Sequence, residues 1–260
     1  MSYINIDHLK ISVIDNKKCG IPLLFLHGFL GSSIDWIHQY YFYNNKYHIL
    51  LIDLPGFGNS DKPIKEYSIE FFCSLILSLL RVLKYDEIIL IGHSLGGMIA
   101  QQIAIFKPHL VKKLILINTT YSFSKSLFDK IKLLVVNLFF KFFYKKFLDS
   151  IIHKINSTNA DNKKIRIQYK KALRLPKQVI LKTFKNMTLK SNFEKYLPQI
   201  SAPTLIIYGT NDKIISNSMI EKMNYLIPSS KIINVKNASH RIMFENYNRV
   251  NKIIDDFISN

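Results

Sequence analysis

The sequence predicts an α/β fold, with a mainly parallel central sheet covered by helices on both faces and one helical insertion. Three observations carry this. Short aliphatic, β-branched runs alternate with helix-length segments through residues 1–120 and again through residues 198–260. One strand-to-helix junction reads Gly92-His93-Ser94-Leu95-Gly96-Gly97, a Gly-x-Ser-x-Gly turn. The intervening residues 121–197 are basic and aromatic and read as helical rather than as strands.

The elements follow in order. Leu23-Leu24-Phe25-Leu26 is the first strand candidate, and residues 48–52 are the second. Ser68 as N-cap and Glu70 in the first turn open a helix that runs to Leu83. Residues 87–91 form the strand ahead of the Gly-x-Ser-x-Gly turn. The helix behind it runs from Leu95 to Phe106, with Pro108 just past its end, and residues 113–117 are the next strand. After the insertion, residues 203–208 form a strand and Asn217–Leu226 a helix. Residues 231–235 form a further strand, and a last helix covers residues 245–258. A chain of 260 residues can bury one sizeable core together with a small inserted module.

A serine held between a strand and a helix in this turn is a nucleophile elbow. The backbone is strained so that the hydroxyl projects, and the residues two before and two after must be small, as Gly92 and Gly96 are. Serine is a poor nucleophile near neutral pH. It needs a base, and the base needs an orienting acid. On parallel strands these belong in loops beyond the carboxyl ends, in the chain order Ser, acid, His. Asp212 follows the 203–208 strand and His240 follows the 231–235 strand. Asp212 could instead be a turn or capping aspartate, and His240 a surface-loop histidine. The loop after residues 113–117, Asn118-Thr119-Thr120, offers no carboxylate. An oxyanion needs backbone N–H donors. Leu95, after the serine, supplies one, and Phe29 in His27-Gly28-Phe29-Leu30-Gly31 is the candidate for the second. His27 is expected to fix this loop rather than act as a base, and His93 to pack beneath the turn or line the pocket edge. The turn Asp53-Leu54-Pro55-Gly56-Phe57-Gly58-Asn59-Ser60 lacks a Gly-Lys-Ser/Thr ending, so it is no nucleotide loop and receives no chemical role.

Lys and Arg number 36 against 18 Asp and Glu, for a net charge of +18. The excess is concentrated: residues 121–197 hold 18 basic and 4 acidic residues, while the rest of the chain is only +4. Cys19 and Cys73 form no pairing or metal pattern, which suits a reducing compartment. The first residues lack a basic stretch followed by an apolar one, and no uncharged apolar run is long enough to span a bilayer, so the expected location is the cytoplasm.

Together, the His27-Gly28-Phe29, Asp53–Ser60, Gly92–Gly97, Gly209-Thr210-Asn211-Asp212 and Ser239-His240 segments resemble the α/β-hydrolase superfamily from about Pro22 to the C-terminus, outside the insertion. The resemblance implies a Ser94, Asp212 and His240 triad under a helical cap at residues 121–197, with no metal or organic cofactor. A serine argues against the epoxide hydrolase and haloalkane dehalogenase branches, which the resemblance associates with an aspartate nucleophile. The small size and short cap are similar to esterases of biotin synthesis that cleave pimeloyl-acyl-carrier-protein methyl ester. That likeness implies a grip on an acidic acyl carrier protein by Lys163, Arg166, Lys170 and Arg174, whose helical spacing would set them on one face. The residue before Ser94 is His rather than the aromatic of some of those enzymes, and the cap charge is mostly lysine.

Other readings of the cap stay open. A basic segment can be a solvated surface. The apolar stretch 133–147, with lysine punctuation, could lie on anionic lipid, but is expected to turn its apolar side onto the main domain and an acyl pocket. No zinc spacing, helix-turn-helix or RNA-binding signature points to nucleic acid. The non-enzyme alternative is a catalytically inactive hydrolase fold that serves as a binding protein. The enzyme alternatives are a general short-chain carboxylesterase, a lipase or a thioesterase.

Overall fold

The computed structural model describes residues 1–123, 127–157 and 174–259. The chain opens with an antiparallel pair, β1 (Ser2–Ile6) and β2 (Leu9–Asp15), which the sequence reading did not extract. Its turn residues Asp7 and His8 both have positive φ, 47° and 65°, without the Asn-Gly or Asp-Gly pair that marks such a turn in sequence. Then come β3 (Leu23–Leu26), α1 (Ile37–Tyr43), β4 (Ile49–Ile52), α2 (Ile69–Leu83), β5 (Ile88–His93), α3 (Leu95–Phe106) and β6 (Val111–Ile117). The insertion carries α4 (Leu127–Ser157) and α5 (Lys177–Lys185). The chain ends with β7 (Thr204–Gly209), α6 (Asn217–Leu226), β8 (Ser230–Val235), α7 (Ile242–Glu245) and α8 (Tyr247–Ser259). Where the sequence predicts one last helix, the structure has two, with a break at Asn246.

Among the described residues, eight strands form one sheet in the order β1-β2-β4-β3-β5-β6-β7-β8. The strands from β4 to β8 in this order pair in parallel, and β1 and β2 extend one edge antiparallel. Strands β3, β4 and β5 are buried on both faces, which is why they read as unbroken apolar runs. Alternate residues feed two cores. Leu24, Leu26, Leu50, Ile52 and Leu90 pack with α2 and α3, whereas Leu23, Phe25, Leu51 and Ile91 pack with Trp36, Tyr43, Val250 and Ile254 on the opposite face. Ser68 Oγ accepts the Phe71 N–H at 3.2 Å and caps α2. α3 is buried from Leu95 to Ile105 between the sheet and α2, so it shows no clean amphipathic period.

The insertion leaves the sheet after β6 and is closed at its base by a Ser122–Asn192 bridge and a 3.0 Å bond from Phe193 N–H to the Tyr121 carbonyl. One stripe of α4 faces inward. Its Phe140 stacks on Phe184 at 4.3 Å, Tyr144 and Leu148 pack near Leu30 and Ile180, and Asn137 Nδ2 donates to Thr188 Oγ1 at 2.9 Å. The apolar residues of 133–147 do not all turn inward as the sequence reading expects: Leu134, Val135, Leu138, Phe139, Phe142 and Phe143 are exposed. Apolar residues occupy every side of this helix, and a single packing face can cover only about a third of them.

Candidate active site

Ser94 sits at the end of β5 and the start of α3 with φ 50° and ψ −115°, a region that L-residues rarely visit. Such strain costs about 1–3 kcal/mol and must be held by its surroundings. The Ser94 carbonyl accepts three hydrogen bonds, from Gly97 N–H, Met98 N–H and Thr119 Oγ1 (2.7 Å), and Ser94 N–H donates to the Ile117 carbonyl. The small neighbours are required by space. A Cβ at Gly96 would run into the Leu26 carbonyl, and one at Gly92 into the Gly96 carbonyl. One at Gly28 would lie 2.8 Å from His93 Nδ1 and 3.2 Å from Ser94 Cβ, so the loop after β3 lies directly against the elbow.

That loop is fixed by buried polar groups. His27 donates from Nδ1 to the Gly28 carbonyl at 2.8 Å, and its Nε2 accepts the Leu54 N–H at 3.0 Å. The ring is therefore a neutral brace between two loops, and burial lowers its pKa against the opposing pull of Asp53 and Asp35. Asp53 is fully buried and accepts Ser33 N–H at 2.6 Å and Asn59 N–H at 2.8 Å. The 53–60 turn thus holds the segment after β3 in shape, a role the sequence does not announce. Phe29 packs against Phe57, Phe140 and Phe184, which puts its ring between the main domain and the insertion. Neither Phe29 N–H nor Leu95 N–H donates to any described residue, and Leu95 opens α3, where the helix dipole favours negative charge.

His240 Nδ1 and Asp212 Oδ2 lie 2.7 Å apart, with the carboxylate fully buried and the imidazole largely so. Asp212 Oδ1 meanwhile accepts the N–H groups of Ile214 and Ile215. The turn-capping aspartate and the histidine partner weighed as alternatives are thus one residue, each oxygen with its own task. With Nδ1–H donated to Asp212, Nε2 is the basic nitrogen of His240. The structure brings Asp212 and His240 together and sets the His240 ring 4.8 Å from that of His93, the neighbour of Ser94. It does not join His240 to Ser94 by a hydrogen bond.

Three further residues hold the histidine loop, and sequence reasoning missed two of them. Asn118, 1% exposed and at φ 41°, directly follows β6. Its Oδ1 accepts Gly209 N–H at 2.8 Å, and its Nδ2 donates to the Ser239 and His240 carbonyls at 2.9 and 2.8 Å. One amide thus ties the end of β7 to the His240 loop. His93 Nε2 donates to the same His240 carbonyl at 2.9 Å. Burial, reinforced by the adjacent His240, holds His93 well below the usual imidazole range, so it stays neutral. Arg241 pairs with Asp35 at 2.8 Å and joins the His240 loop to the segment after the Phe29 loop. The available signal for Asn118 was its position after a parallel strand, where site residues gather. Lys163, Arg166 and Lys170 lie outside the described residues, and Arg174 is exposed.

The model for the alpha/beta hydrolase fold matches residues 21–247. Human epoxide hydrolase 4 is 27% identical over 280 residues, spanning 96% of this chain and 76% of that protein. The pimeloyl-[acyl-carrier protein] methyl ester esterase of Wigglesworthia glossinidia brevipalpis is 30% identical over 251 residues, 92% of this chain and 93% of that protein. Among solved structures, the esterase EaEST from Exiguobacterium antarcticum superposes with a TM-score of 0.87 at 20% identity, over 100% of this chain and 99% of that one. The matched segment begins just before β3, takes in the serine elbow and both partner loops, and ends at the start of α8, so the chain belongs to the alpha/beta hydrolase fold family.

Proposed function

We propose that the chain is a serine carboxylesterase that hydrolyses acyl esters through Ser94, His240 and Asp212. The observation that carries this reading is the 2.7 Å Asp212–His240 pair beside a serine on a strained helix N-terminus. In the first step, His240 Nε2 takes the Ser94 proton as Oγ attacks the ester carbonyl, and Asp212 stabilises the imidazolium. The N–H groups of Leu95 and Phe29 hold the oxyanion, each worth roughly 3 kcal/mol. The alcohol leaves with a proton from His240. Water, deprotonated by His240, then frees the acid and regenerates the serine. Substrate binding is the step that brings Nε2 within about 3 Å of Oγ, since catalytic hydrogen bonds tighten in the complex.

Chemistry separates this reading from epoxide opening, the activity named for the human relative. A carboxylate that attacks an epoxide forms an ester, which water can cleave. A serine oxygen would form an ether, which this machinery cannot turn over. For the ester itself, the Wigglesworthia relative and the basic 121–197 segment support a carrier-linked methyl ester, with Lys163, Arg166, Lys170 and Arg174 steering an acidic carrier. The test is an ester panel with and without carrier, repeated across salt. We expect Ser94→Ala and His240→Ala to abolish turnover, and a carrier-linked preference to fade with salt. Substantial turnover by Ser94→Ala would overturn the mechanism, and a salt-indifferent preference for free short esters would replace the carrier substrate with a general carboxylesterase.

A further inference from the structure

We infer that the outward face of α4 is a docking surface for an anionic lipid bilayer. Val135, Phe139 and Phe142 recur at i, i+4 and i+7 on the side opposite the inward stripe of Leu133, Asn137, Phe140 and Tyr144. They are 60%, 63% and 74% exposed, and Ile131 and Leu138 widen the strip. A contiguous apolar strip on a helix surface signals a partner rather than chance exposure. Lys141 and Lys145 stand exposed along one edge, and Lys146 lies at its C-terminal end. The helix is 31 residues long, about 46 Å, and among the described residues no helix is long and apolar enough to cross a membrane. Such a helix lies in the bilayer interface, with aromatic and aliphatic groups in the acyl boundary and lysines among the phosphates.

Charge and chemistry select this occupant. A second copy packed face to face would set the lysines of one α4 against those of the other, on chains that each carry +18. An acidic protein would match the lysines but leave the phenylalanines without an apolar counterpart. The inner side of the same helix packs Phe140 near Phe29, so a docked chain would hold the loop after β3 about one helix diameter, roughly 10 Å, from the lipid. The inference stands on the α4 surface alone and does not depend on the esterase reading.

The test is co-sedimentation of the full chain with phosphatidylglycerol or phosphatidylcholine vesicles, alongside size-exclusion chromatography without lipid. We expect binding to phosphatidylglycerol vesicles and little to phosphatidylcholine. Phe139→Ser/Phe142→Ser should weaken binding by about tenfold or more. Lys145→Gln and Lys146→Gln should each weaken it about fivefold. All four positions are exposed, and an unchanged circular dichroism spectrum shows that the variants fold. Failure of the wild-type chain to bind phosphatidylglycerol would overturn the inference. So would binding that the phenylalanine pair does not affect, a dimer that the pair dissolves, or capture by an acidic carrier protein in place of vesicles.

Discussion

Replacing Asn118 with glycine isolates the clamp between the Asp212 and His240 loops. Glycine tolerates the φ of 41° at this position, so the substitution removes the amide without adding backbone strain. Three hydrogen bonds of 2.8–2.9 Å disappear. At about 1 kcal/mol net for each, and with a buried Gly209 N–H left unmet, the loss comes to about 3 kcal/mol. For a chain of this size that lowers Tm by about 6–12 °C. The His240 carbonyl keeps one donor, His93 Nε2, so the loop loosens rather than detaches. A shift of the imidazole by about 1 Å would reduce turnover by up to about a hundredfold, in kcat more than in KM. Thermal unfolding and steady-state kinetics on a chromogenic ester read both quantities. Asn118→Asp keeps the acceptor for Gly209 but turns a carboxylate oxygen toward the Ser239 and His240 carbonyls at a buried position, so it should recover neither stability nor kcat. A Tm within about 1 °C of wild type, together with unchanged kcat, would show that the amide is not the clamp described.

Three further outcomes are expected. Gly96→Ala forces a methyl onto the Leu26 backbone, so soluble folded protein should be lost on expression; a stable, active variant would contradict the packing of the elbow. Asp53→Asn turns an amide N–H₂ toward donors that now meet a carboxylate, and should lower the urea midpoint by about 1–3 kcal/mol of stability. His27 and His93 are both held neutral by burial. The unfolded chain protonates them near pH 6.5, so below that value it binds more protons than the native state. Their contribution is complete above about pH 6.5 and is lost as pH falls toward their lowered native values, by at most about 1.4 kcal/mol per pH unit each. Urea midpoints measured down to about pH 5.5 should fall accordingly, and a flat profile would mean that these rings are not buried as neutral groups.

The sheet was legible where strands are buried on both faces, because β3, β4, residues 88–91 of β5, residues 114–117 of β6 and residues 205–208 of β7 are unbroken apolar runs with nothing helical in their period. β1 and β2 were not, since an exposed edge strand and a turn without glycine leave little pattern. Asp212 and His240 could be paired from sequence because chain order and strand ends restrict where an acid and a base can sit. Asn118 was not legible because a catalytic loop on this fold signals itself by a carboxylate, whereas the geometry there uses an amide with both a donor and an acceptor. Asp53 escaped for a related reason: its task is to accept backbone N–H groups from residues 20 and 6 positions away, which no local spacing encodes. The direction of the α4 face was undetermined, because a helix that is apolar all round does not say which side is covered.

The most direct measurement is mass spectrometry of the folded protein after exposure to a fluorophosphonate. A single adduct on the hydroxyl at position 94, formed slowly in Asp212→Asn and absent in His240→Ala, is the predicted result. An unmodified Ser94 in folded wild-type protein, or equal labelling in all three forms, would contradict nucleophilic activation by the histidine and its buried acid.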